Sequence, residues 1–61
     1  MRIQTFVGKV SIEGLKQIDE HINEWIAKNK IEPKQIHQQF GYERHHNTTV
    51  EEPVLIISVW Y

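Results

Sequence analysis

Polar and apolar positions change period along this chain, and each change marks an element. Residues 2–7, Arg-Ile-Gln-Thr-Phe-Val, mix β-branched and aromatic side chains in rough alternation and stop at Gly8. The pattern predicts a short strand with Ile3, Thr5 and Val7 on one face and Arg2, Gln4 and Phe6 on the other. Ser11 then stands where a helix N-cap belongs, its hydroxyl placed to accept from a free first-turn amide. Ile12, Leu15, Ile18, Ile22, Trp25 and Ile26 follow in a stripe roughly 140° wide at about 100° per residue. Glu13, Gln17, Glu20, Glu24 and Lys28 take the opposite side, with Glu24 and Lys28 a favourable i,i+4 pair. The spacing predicts a helix over 12–29 that ends ahead of Glu32-Pro33. Asp19 is the charge inside the apolar stripe; it reads as a side chain at the stripe's edge or as the partner of a cation elsewhere.

After Pro33 the period becomes two. Ile36, Gln38, Phe40 and Tyr42 alternate with Gln35, His37, Gln39 and Gly41, which predicts a second strand. Residues 43–53 are polar and aperiodic and predict a long hairpin loop. From Val54 to Tyr61 the chain is apolar on both faces, and such a strand belongs in the middle of a sheet. The expected fold is therefore α+β, a single β-α-β-β domain over residues 1–61. One amphipathic helix packs on a three-stranded mixed sheet of order 1-3-2, whose first two strands run parallel through a right-handed crossover with the third between them, antiparallel to both. The helix-facing set is expected to be Ile3, Val7, Ile36, Phe40, Tyr42, Leu55, Ile57, Val59 and Tyr61.

One helix covers one side of a sheet. The other face is expected to carry Arg2, Gln4, Phe6, His37, Gln39, Val54, Ile56, Ser58 and Trp60, too large an apolar patch to leave in water. Self-association through this face or through a strand edge explains the composition without further function. In the sharper reading, Phe6 and Trp60 supply stacking surfaces while Arg2, Gln4, His37 and Gln39 supply donors and acceptors to a small ligand held between subunits. Gly41, lacking a side chain, is expected to leave room for it. A one-residue slip in register exchanges the two faces.

Composition narrows the class. A 61-residue chain buries only about 60% of its unfolded surface. Chains this small rely on disulfides, a metal or oligomerisation. Cysteine is absent, which removes disulfides and thiolate zinc sites and leaves self-association, a dimer or higher oligomer, as the expected support. Net charge is −1, whereas a general nucleic-acid binder carries a positive excess, so nucleic acid is not an expected partner. The N-terminal residues lack a signal-peptide core and the Val54–Tyr61 stretch is too short to span a bilayer, so a soluble cytoplasmic protein is expected.

Candidate chemistry is sparse. His45 and His46 are adjacent and on an extended chain point opposite ways, while His21 and His37 fall on different elements, so no metal site is expected. Arg44 has the planar fork that suits a phosphate or carboxylate, although a lone arginine in a polar loop is usually solvated. Asn47-Thr48-Thr49 matches a glycosylation sequon, which carries no weight without a secretory leader. No G-x-S-x-G, phosphate loop, dinucleotide fingerprint or H-E-x-x-H occurs, and Ser11 and Ser58 have no evident base. Neither an enzyme nor a cofactor is expected.

Gly14-Leu15 opening the helix, Asn23-Glu24-Trp25-Ile26 near its end and a final Ile57-Ser58-Val59-Trp60-Tyr61 resemble small uncharacterised bacterial and phage β-α-β-β proteins. The plan is similar in outline to a family of short sporulation-associated proteins. The likeness covers most of the chain as patterning without a diagnostic motif, and the stretch 43–53 departs from that group's tight hairpins. It carries over no residue roles. Phage proteins of this size include inhibitors of host factors and sponges for nucleotide signals, so the resemblance implies a binder. The resulting expectation is a non-catalytic homo-oligomeric binding protein that sequesters a small polar, anionic or nucleotide-like ligand or inhibits a host protein. The rival is a purely structural or protein-interaction module with no ligand.

Overall fold

Four elements follow one another in the computed structural model, which describes residues 1–44 and 50–61: β1 (Ile3–Lys9), α1 (Ile12–Asn29), β2 (Gln35–Arg44) and β3 (Glu51–Trp60). His45, His46 and the Asn47-Thr48-Thr49 sequon lie outside the described residues. The sheet has order β1-β3-β2, as the two-sided apolar character of β3 requires. Both ladders among the described residues are antiparallel, so β1 and β2 run the same way without touching and β3 lies between them antiparallel to both, the expected arrangement.

The helix occupies its predicted span. Ser11 has extended backbone, and its Oγ accepts from the Gly14 amide at 2.9 Å. At the other end Lys30 turns left-handed (φ 52°, ψ 49°) and donates its N–H to the Ile26 carbonyl, which also accepts from the Ile31 amide at 3.0 Å. The connection from β1 is so short that Gly14 sits on the Lys9 carbonyl; a β-carbon at Gly14 would collide with it.

Ile18, Leu55, Ile57 and Val59 form the buried core, with Phe6, Ile22 and Trp25 packed against it. This corrects the expected faces of β1. Register places Phe6 beside Ile57 and Gly8 beside Leu55, so the even-numbered side of β1 meets the helix. Ile3 and Val7 go to the uncovered side, and Val7 is 60% exposed. The cause is Gly8, over which Ile18 Cγ1 and Cδ1 lie so closely that a strand turned the other way would present Val7 or Lys9 to the helix instead. The stripe on α1 is also narrower than its spacing implied. Burial centres on Ile18, Ile22 and Trp25, while Ile12 is 91% exposed and Asp19 lies exposed beyond the stripe's edge.

The hairpin is longer than its polar composition predicts. β2 runs to Arg44 and β3 starts at Glu51, with Tyr42 beside Pro53, Glu43 beside Glu52 and Arg44 beside Glu51. Polar residues are compatible with strand here because this end of the hairpin is solvated on both sides. Pro53 is tolerated in a central strand because its missing N–H faces the β1 side beyond Lys9, where Val10 donates to the Pro53 carbonyl at 3.2 Å. The molecule measures 40 × 23 × 16 Å with a radius of gyration of 13.1 Å. A compact chain of this length would have about 10.5 Å.

Candidate functional site

Register assembles the open sheet face in rows. Ile3, Trp60 and Gln35 form one row, Thr5, Ser58 and His37 the next, then Val7, Ile56 and Gln39. β1 and β3 thus supply a mostly apolar floor and β2 a polar border. Gln35 Nε2 and His37 Nε2 lie 2.7 Å apart in a side-chain hydrogen bond, which holds two of the border side chains together. Trp60 is partly buried and keeps part of its ring available.

Of the residues singled out from the sequence, Trp60, His37 and Gln39 come together on this face. Phe6 does not. It turns toward α1 and meets Trp25 edge to face, with ring centroids 5.4 Å apart and planes at 66°. Gln4, beside Val59, shares the helix side, and Arg2 exchanges backbone hydrogen bonds with Tyr61 at the same end of the sheet. Arg44 stands at the far end of the hairpin, where its Nη2 donates to Glu51 Oε1 at 3.0 Å. Nor does Gly41 leave a vacancy. Ile56 Cδ1 would stand 3.3 Å from a β-carbon there and Val54 Cγ2 3.8 Å, so these two side chains have filled the space.

A second surface escaped the sequence reading. Phe6, His21, Glu24, Trp25, Lys28 and Asn29 line a shallow groove of about 440 Å³ along the flank of α1. Trp25 anchors it, packed edge-on against both Phe6 and Tyr61, the latter at 5.0 Å and 78°. Asn29 Nδ2 donates to the Trp25 carbonyl at 3.0 Å and closes one end. His21, Glu24, Trp25 and Lys28 recur at intervals of three and four on one flank, which was the available signal. It was hidden because the same spacing serves an ordinary solvated face. The groove combines an aromatic floor with one acidic and one basic group.

Among the described residues no three His, Asp or Glu side chains gather as a metal site would need, and no helix is long and apolar enough to cross a membrane. No protein-family model matches this chain, and no curated protein or solved structure compared with it matches either.

Proposed function

We propose that this protein is a homo-oligomeric binding module whose open sheet face takes a small polar or nucleotide-like ligand without chemistry being done on it. The observation that carries this reading is the pairing, on one face, of the Trp60 ring with a polar border of Gln35, His37 and Gln39. An aromatic plane with adjacent amides and imidazole suits a flat heteroaromatic group, which stacks on the ring and exchanges hydrogen bonds at its rim. The face is narrow on its own, so a second subunit is needed to extend it alongside a ligand.

A reading without ligand, as a protein-interaction module, draws on the large apolar side chains exposed on both sides of the sheet, Val7 on one and Phe40 and Tyr42 on the other. Native mass spectrometry of freshly purified protein separates the two. The ligand reading expects an oligomer carrying extra mass, with excess absorbance near 260 nm that is released on heating. An oligomer of bare chains that binds no nucleotide or nucleoside in subsequent titration supports the interaction module and overturns the ligand.

A further inference from the structure

The surface of this chain is too large for its mass. Its solvent-accessible area is 5163 Å² at 7.3 kDa. A compact monomer of that mass exposes about 4,200 Å². The difference, on the order of 1,000 Å², is what one partner of a standard stable interface gives up, about 800 Å².

Much of the excess lies along β2. α1 packs along β1, and on the helix side of the sheet β2 is left bare, with Ile36 58%, Phe40 71% and Tyr42 73% exposed. The flank of α1 turned away from the Phe6–Trp25 groove carries Ile12 and Leu15, so the helix too presents apolar groups to solvent. β2 is also an edge. The register directs the N–H and C=O groups of its odd-numbered residues to β3, which leaves those of Ile36, Gln38, Phe40 and Tyr42 pointing outward. Natural edges of this length are protected by charge, proline or a bulge. Between Gln35 and Tyr42 there is no Lys, Arg, Asp, Glu or Pro, and the ladder register has no interruption.

We infer that β2 pairs with β2 of a second copy, antiparallel about a two-fold axis through Gln39, to give a continuous six-stranded sheet with both helices on one side. The inference rests on the homo-oligomeric reading above and assigns its interface. With the axis at Gln39, Ile36 stands opposite the partner's Tyr42 and Gln38 opposite the partner's Phe40, each pair exchanging both backbone hydrogen bonds. The exposed strips of the two copies then meet in the trough between the helices, where each is removed from water. Arg44 and the partner's Lys34 come together at the solvated ends, where Glu51 already offsets Arg44. On the other side of the sheet the polar borders of the two copies merge, with Gln39 beside the partner's Gln39. The proposed ligand face is completed by this pairing, with a shared polar strip in the middle and Trp60 of each copy beyond it.

The chain has no cysteine, so single cysteines report cleanly. In this dimer Gln39 faces its own copy in a non-hydrogen-bonded pair, with Cα atoms about 4.5 Å apart, within disulfide reach. Light scattering of the unmodified protein is expected to give a dimer, and Gln39→Cys under mild oxidation a reducible covalent dimer that does not form with Thr5→Cys or Ser58→Cys on the open face. Phe40→Asp, at an exposed position the monomer tolerates, should weaken the dimer by roughly 100-fold while keeping the far-ultraviolet spectrum. An oligomer that captures Thr5→Cys or Ser58→Cys and leaves Gln39→Cys uncoupled overturns the edge pairing but keeps the homo-oligomeric reading. A monomer at high micromolar concentration overturns both.

Discussion

Ile18 Cγ1 and Cδ1 occupy the space that any β-carbon on Gly8 would need, so the helix and the first strand are fitted to each other at one missing side chain. Ile18 is buried among Leu55, Ile57 and Val59 and has nowhere to retreat. Gly8→Ala is therefore expected to destabilise by about 1–3 kcal/mol, as overpacking does. Removing Ile18 Cδ1 with Ile18→Val should recover part of that loss. Urea denaturation of the two single variants and the double checks this: a coupling near zero would mean that the contact is not what makes alanine costly at Gly8.

The two tryptophans should report on different events. Trp25 holds Phe6 and Tyr61 edge-on beside the core. Trp25→Ala is expected to cost about 3 kcal/mol and to remove near-ultraviolet circular dichroism arising from the ring cluster. Trp60 lies on the uncovered face, so Trp60→Ser should leave helical content unchanged and act on association or ligand binding. Equal destabilisation by the two substitutions would contradict this division.

Ser11 is the clearest local contribution to the helix. Its Oγ satisfies the Gly14 amide at 2.9 Å. Thermal melts should show Ser11→Ala losing about 1 kcal/mol, with Ser11→Asp near the parent value. An alanine variant as stable as the parent would show that water serves that amide equally well.

Arg44 and Glu51 illustrate the opposite case. Their 3.0 Å contact is between side chains 67% and 48% exposed. An ion pair so open to solvent is worth less than about 1 kcal/mol and is screened by salt. Arg44→Ala is expected to change the denaturation midpoint slightly in dilute buffer and not at all near 1 M salt. A large, salt-independent loss would point to a structural role at the end of the hairpin.

Much of this fold could be read in the chain because its signals agree with one another. Ser11, the stripe from Leu15 to Ile26 and the stop before Pro33 delimit α1, and the doubly apolar Val54–Trp60 run places β3 in the centre. The buried face of β1 is obscured because Ile3, Thr5 and Val7 make a β-branched row that looks like a core face, whereas a single Phe6 marks the true one. The deciding clue was Gly8, on the same side as Phe6, which only makes sense if something large approaches it. The candidate site suffered most from that error, since Phe6 and Gln4 left the face on which Trp60, His37 and Gln39 remain. Arg44 was out of reach for another reason: polar pairs can extend a solvated hairpin, and composition alone does not distinguish that from a loop.

Arg2 and Tyr61 exchange both of their backbone hydrogen bonds, which brings opposite ends of the described chain side by side. Joining them through a short turn and opening the chain ahead of Lys34 would reorder the elements as β2-β3-β1-α1. Every strand would then precede or follow its own sheet neighbour, and the pairing of β1 with β3 would no longer have to span the helix and β2. Such a circular permutant keeps each native contact while lowering the mean separation along the chain between contacting residues, and chains of lower contact order fold faster. The 1-3-2 winding of this sheet is thus a matter of where the loop of chain is cut, and its kinetic cost lies in the connectivity, separate from the interactions that stabilise the folded state.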